Sequence, residues 1–151
     1  MNQHNTNNLE DFKYDFNRVN SLKLKNFRSY KDLKCSFNGG PVVLLGPNGS
    51  GKTNILEALS LLSPGKGLRG ASFDQFRNFK GPSEWGVIAE VASHNQIIKI
   101  STGVSAGRLR GRDVKVNDKK VSGYSSLPSL ISLSWVTPSM DQIFMESPSS
   151  R

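Results

Sequence analysis

The sequence has a single cysteine, Cys35, so no internal disulfide can form, and the chain suits a reducing compartment such as the cytosol. Its two histidines, His4 and His94, have no partners at metal-ligand spacing and read as surface residues. No apolar run approaches the roughly 18 residues that a membrane helix needs. The opening stretch MNQHNTNNLEDFKYDFNRVN also lacks the basic-then-apolar pattern of a signal peptide. A soluble, cytosolic protein with no membrane partner is therefore expected. Acidic residues are scarce, 12 against 20 Lys and Arg, and the net charge of +8 favours polyanionic partners such as nucleotides or nucleic acid. With 151 residues the chain is long enough for one core and too short for two.

Residues 1–17 are rich in asparagine and poor in aliphatics, which predicts a flexible tail. VNSLKLKNF alternates polar and apolar residues as a strand does, FRSYKD turns the chain, and DLKCSF alternates again. After the tight turn NGGP, the run Val42-Val43-Leu44-Leu45 predicts a central strand buried on both faces. From Lys52 the period changes. Ile55, Leu56, Ala58, Leu59, Leu61 and Leu62 cover most of a helix surface, with Asn54, Glu57 and Ser60 as polar interruptions, so the helix should pack under a sheet until Pro64 and Gly65 end it. ASFDQFRNF has the character of a short helix. EWGVIAEVAS and QIIKIST, joined by His94-Asn95, form a predicted antiparallel hairpin. DVKVND and KKVSG form a second one, SLSWV returns to the central sheet, and Thr137 caps a helix starting at Pro138.

Between the apolar run and the helix lies Gly46-Pro47-Asn48-Gly49-Ser50-Gly51-Lys52-Thr53, which meets G-x-x-x-x-G-K-[ST] in full. Gly49 and Gly51 let successive backbone N–H groups turn inward toward phosphate oxygens. The helix start adds the positive end of its dipole. Lys52 has the reach for the β and γ phosphates, and the Thr53 hydroxyl suits a Mg²⁺ ligand. A chance match arises in fewer than about one chain in a hundred of this length, and here a strand-like run precedes the loop and a helix follows. The D-x-x-G and N-K-x-D pair of a GTPase does not occur, and antiparallel strands follow the loop where a small-molecule kinase would have helical lids.

The order β-β-loop-α-β-β resembles the SMC-like branch of ABC-type ATPases and, within it, the RecF family. The resemblance is carried by KNFRSY (25–30), GPNGSGKTNILEAL (46–59), LSPGKGLRG (62–70) and WVTPSMDQIF (135–144). It implies an α/β fold, the N-terminal lobe of a phosphate-loop ATPase, with a mixed sheet, antiparallel hairpins and a loop helix across residues 18–151. It further implies ATP and Mg²⁺ held by Gly46 to Thr53, with Arg28 as a basic residue near the nucleotide, the alternative for Arg28 being a surface arginine at a strand end. Lys66 and Arg69 match basic family positions, or else belong to a solvated face. The family role so implied lies in DNA repair, replication and the SOS response: an ATP-dependent homodimer on single-stranded or gapped DNA, acting with RecO and RecR partners. A Walker B strand ending in Asp-Glu, a signature motif and a helical arm do not occur in these 151 residues, and the resemblance places all three after Arg151. GVIAEV offers a lone Glu90 and reads as a hairpin strand. Ser147 stands where the family reads glycine. Gln142 is a candidate γ-phosphate sensor, or a polar residue in an exposed helix start.

A second basic element is GRLRGRDVK, where Arg108, Arg110, Arg112 and Lys115 are close together and Lys119 and Lys120 follow. Alternate arginines on an extended segment share a side and could grip DNA phosphates, whereas a solvated hairpin link accounts equally for them. With little aromatic interleaving, base stacking is not indicated. Two further functional readings stand beside the ATPase lobe: a nucleic-acid-binding remnant with a vestigial loop and no ATPase activity, and a structural half-domain that needs another half to cover its sheet.

Overall fold

In β1 (Arg18–Phe27) the alternation of leucine and lysine sorts itself by face. Leu22 and Leu24 are buried, while Lys23 and Lys25 are exposed, as the two-residue period of a strand requires. The same division runs through β3 (Trp85–Ser93), where Trp85, Val87, Ala89 and Val91 face the core. The structure, a computed structural model, describes residues 17–93, 96–107, 111–121, 131–138 and 140. The expected tail, His4, His94, Arg108, Arg110, Gln142 and Ser147 lie outside the described residues.

β2 (Tyr30–Ser36) pairs with the outer edge of β1, and β4 (Gln96–Val104), β5 (Asp113–Val116) and β6 (Lys119–Lys120) extend the sheet beyond β3. The strand order is β2-β1-β3-β4-β5-β6 and every pairing is antiparallel. Both expected hairpins are thus present, β3–β4 and β5–β6. On one sheet face packs α1 (Lys52–Ser60). Its Ile55 and Ala58, with Leu61 and Leu62 just beyond, join Leu22, Leu24, Val87, Ala89 and Ile100 in one core. Each fully buried aliphatic side chain in such a core contributes about 1.5–3 kcal/mol.

An aromatic cluster closes the end of this core. Phe27 and Phe76 stack at 5.7 Å, and Trp85 meets both edge-on at 5.6 and 5.4 Å. Phe76 belongs to a single 3-10 turn, Phe73–Phe76, the short helix expected in ASFDQFRNF. The Trp85 indole donates to the Phe73 carbonyl at 2.7 Å, so its one polar atom is satisfied. Buried Asn26 donates through Nδ2 to the carbonyls of Pro82, at 2.7 Å, and Glu84. Asn26 and Arg28 both have left-handed backbone, at φ 52° and 51°. The Arg28 N–H to Phe76 O bond of 2.7 Å and the Asn78 N–H to Asn26 O bond of 2.8 Å hold them there.

Two expectations about strands are corrected. Residues 41–47 form no strand, and Val42, Val43 and Leu45 are 54, 75 and 87% exposed where a doubly buried central strand was expected. No described strand pairs with them; Leu44 packs partly against the core, while Val42, Val43 and Leu45 stay open to solvent. Residues 131–137 likewise do not rejoin the sheet, although Ile131 is buried and Leu133 packs against the core. The helix is also less enclosed than its composition implies, with Leu56 at 51% exposure. At Pro138, helical backbone begins as expected, and Met140 N–H bonds the Thr137 carbonyl at 2.9 Å. No helix among the described residues is long and apolar enough to cross a membrane.

Candidate nucleotide-binding site

The loop from Gly46 to Gly51 depends on backbone that only glycine adopts freely. Gly46, Gly49 and Gly51 have φ of 150°, 80° and 97°. At Gly51 a Cβ would lie 2.5 Å from the Tyr30 hydroxyl and 2.9 Å from Ser29 Oγ, so the close approach of the β1–β2 turn also requires glycine. Gly51 is the N-cap of α1 and supplies no side-chain acceptor. It accepts the Asn54 and Ile55 N–H groups through its carbonyl, at 2.8 and 3.2 Å. With no side chain capping the helix start, and with no acidic residue in its first turn, the positive end of the dipole is directed at the loop.

Lys52 folds back across the loop. Its ammonium donates to the carbonyls of Gly46 at 2.6 Å and Pro47 at 2.8 Å. Thr53 is exposed in the first turn of α1. The FRSY turn braces this assembly from the side. Asn54 Nδ2 donates to Ser29 Oγ at 2.9 Å, and the Tyr30 hydroxyl donates to Ser50 O at 3.4 Å. Burial, with a smaller contribution from Cys35, raises the Tyr30 pKa above its ordinary value and keeps the phenol a donor.

Arg28 reaches the helix. Its Nε and Nη2 form two parallel 2.8 Å bonds to the carboxylate of Glu57, which is 0% exposed. Its guanidinium also lies 5.0 Å from the centroid of Phe76. Arg69 approaches the same carboxylate at 3.7 Å, whereas Lys66 is exposed in the loop after α1. Glu57 is thus the anchor of the site, although its place in the sequence suggested an interruption in an apolar helix. A lone carboxylate on a face otherwise made of Ile55, Ala58, Leu61 and Leu62 is the signal that it needs a buried cation.

Arg112 is a correction. It is 4% exposed and points into the molecule, so it cannot share a DNA-facing side with its neighbours. It donates to the carbonyls of Leu61, Ser63 and Gly65, the latter two at 2.8 and 3.2 Å, and lies 5.6 Å from the Phe73 ring. A cation there caps the carbonyl end of the loop helix. The parity of β5 held the clue: Arg112 shares a side with Val114, which is buried, and Lys115 has the opposite parity and is exposed. Lys119 and Lys120 are exposed, and Lys120 pairs with Asp113 at 2.8 Å. Glu90 lies in the antiparallel strand β3, exposed and accepting from Ser21 Oγ at 2.9 Å, as a hairpin residue would. No cluster of three or more His, Cys, Asp or Glu able to hold a metal occurs among the described residues.

Comparison with known proteins places the chain in a family. The AAA domain family matches residues 21–142. The DNA replication and repair protein RecF of Caulobacter vibrioides is 42% identical over 136 residues, covering 87% of this chain and 35% of its own length. The RecF of Brucella suis is 40% identical over 88% of this chain and 35% of its own. The chain therefore spans about a third of the length of the relatives it matches. A solved structure of the recombination mediator RecF with ATP superposes with a TM-score of 0.75 at 27% identity, covering 89% of this chain and 36% of its own. An SMC ATPase structure shares the fold, with a TM-score of 0.69 at 20% identity over 87% of this chain and 93% of its own. The α/β architecture is that of an N-terminal lobe of an ABC-type, SMC-like ATPase, and the chain belongs to the AAA domain family as a RecF-like member of it.

Proposed function

We propose that this chain is the nucleotide-binding lobe of a RecF-like DNA repair ATPase and that it binds ATP with Mg²⁺ through Gly46 to Thr53. The observation that carries this reading is the loop itself. Three left-handed glycines, an N-terminus of α1 without a side-chain cap and the Lys52 ammonium lie together at one turn. Such a cradle fits a polyphosphate: backbone N–H groups and Lys52 would hold the phosphates, and Thr53 would hold the metal. Mg²⁺, when bound, would neutralise phosphate charge. Arg28 acts in this reading by fixing α1 through Glu57, and its effect on the nucleotide is indirect.

The finer role follows the RecF relatives: DNA repair and replication, single-stranded or gapped DNA as a partner, an ATP-dependent homodimer, and RecO- and RecR-type partners in the cytoplasm. Hydrolysis by these residues alone is negligible, because the sequence holds no Asp-Glu pair at the end of an apolar strand to orient the attacking water. Binding of a fluorescent ATP analogue tests the reading. Lys52→Ala should weaken it about tenfold or more, the scale of losing a hydrogen bond to a charged group. Equal affinity in the variant would overturn the site, and turnover abolished by Lys52→Ala would overturn the claim of negligible hydrolysis.

The exposed apolar residues favour a second, compatible reading, a half-domain completed by further sheet. Val42 and Leu44 line a groove of about 400 Å³ with Phe37, Ile55, Leu56 and Leu59. Covering it would bury the run that the sequence marks as a central strand.

A further inference from the structure

The residues ahead of β1 divide into two unlike parts. Met1 to Asn8 holds four asparagines and no aromatic side chain, whereas Phe12, Tyr14 and Phe16 alternate with Asp11, Lys13 and Asp15. No other five consecutive residues of the chain carry three aromatics. A purely solvated tail has no use for such a run, because solvated segments are poor in aromatic residues. The family match begins at residue 21, so the aromatic run stands ahead of the matched domain.

The chain that follows this run enters the fold at the apolar groove beside α1. Asn17, Arg18 and Val19 line it together with Val42, Leu44 and Leu56. Val42 and Leu56 are 54 and 51% exposed there, so the groove is an apolar surface without a cover among the described residues. Arg18 runs past Gly39 at the same groove, where a Cβ on Gly39 would lie 3.2 Å from Arg18 Cδ. Its guanidinium makes no ion pair among the described residues.

We propose that residues 9–16 fold back into this groove, seating the rings of Phe12, Tyr14 and Phe16 against Val42, Leu44 and Leu56. In an extended segment alternate residues share a side, so the three rings present one apolar side while Asp11, Lys13 and Asp15 face water. Each aromatic side chain carries about 150–250 Å² to bury, enough together to cover the exposed parts of Val42 and Leu56. Glu10, Asp11 and Asp15 outnumber Lys13, so the segment is acidic and complements Arg18. Reach is not limiting, because the five residues from Phe12 to Asn17 span up to roughly 17 Å. A segment tethered to the wall of its own groove has an effective concentration of about millimolar, which outcompetes a second copy of the chain in dilute solution. The inference is independent of ATP binding. It gives the groove an occupant from within the chain, one that competes for the same surface with the further sheet considered above.

Limited chymotrypsin digestion of the full chain, read by mass spectrometry, tests this. The enzyme cleaves after Phe12, Tyr14 and Phe16, and its rate follows how often the segment leaves the groove. Leu56→Glu places a charge in the groove and should speed cleavage at these three sites about tenfold or more. Val43→Glu makes the same change at a residue outside the groove lining and should keep the wild-type rate. Arg18→Gln should accelerate cleavage about twofold, an effect that high salt removes. Equal rates in the wild type and Leu56→Glu would overturn the docking. A second variant, Phe12→Ser with Tyr14→Ser and Phe16→Ser, leaves α1 and the sheet untouched. In its methyl NMR spectrum Val42, Leu44 and Leu56 should shift while Val43 and Val87 stay in place. Unshifted groove methyls would overturn the proposal, as would cleavage that slows with rising protein concentration, which would make a second copy the occupant. Either failure leaves the nucleotide site and the further-sheet reading standing, since neither uses residues 9–16.

Discussion

Helix α1 has apolar residues on both sides, and the two sides meet different fates. On the sheet side, Ile55 and Ala58 are buried with Leu22, Leu24 and Val87. On the other side, Leu56 is half exposed, and the neighbouring loop shows Val43 and Leu45 at 75 and 87% exposure. The side chains are chemically alike, so hydrophobicity does not separate the two regions. Partners do. The sheet side meets strands joined to one another by consecutive antiparallel pairings, while residues 41–47 have no described strand beside them. Burial is a property of a pair of surfaces, and an apolar run supplies one of them.

The sharpest way to break this contrast is at the sheet side. Glu57→Gln removes a buried carboxylate and leaves the Arg28 guanidinium facing a neutral amide. Unfolding in urea should show a loss of about 3 kcal/mol, the low end for one partner of a buried pair because Arg28 keeps 19% exposure. Phe76→Ala, which empties the centre of the aromatic cluster, should cost about 3 kcal/mol or slightly more by the same assay. On the open side, Val43→Ala should change stability by less than about 0.5 kcal/mol. A loss at Val43 comparable to that at Phe76 would show that this run is packed in solution.

A smaller effect sharpens the picture at the loop. The fold raises the Tyr30 pKa, so it favours the neutral phenol over the phenolate. The associated stability is present below the ordinary value of 10.0 and is lost as pH rises through the raised value. A phenolate absorbance titration should place Tyr30 above exposed tyrosine, with Tyr30→Phe removing that step. Ionisation of Tyr30 at or below the ordinary value would show that the β1–β2 turn does not shelter the hydroxyl beside Ser50.

Much of the local structure was legible in advance. Leu22 and Leu24 alternate with Lys23 and Lys25, so β1 and its faces followed from a period of two. The β3–β4 hairpin followed from EWGVIAEVAS and QIIKIST, and the loop helix from its glycines and the change of period at Lys52. What failed had a long-range cause. The run at 42–45 looked like a central strand because it is continuously apolar, yet a strand needs neighbours to bond its backbone. Arg112 looked like a member of a basic surface, because one-dimensional clustering hides which side of β5 each residue takes. Glu57 looked like an interruption because its cations, Arg28 and Arg69, lie 29 positions before it and 12 after it in the sequence.

The sequence by itself determined the glycine-rich loop, since Gly46, Gly49 and Gly51 are required by backbone conformation, and it marked Lys52 and Thr53 as the residues proposed to meet a phosphate and its metal. It determined the excess of positive charge and the alternation that gives each strand an inner and an outer face. Tertiary structure alone decided where that charge goes. It turned Arg28 and Arg112 inward, one to hold the carboxylate of α1 and the other to cap the helix end, and it aligned Lys34, Lys23, Lys115 and Lys120 across four strands. Pairing register fixes which residues of distant segments become neighbours, and no property of a single segment contains that information.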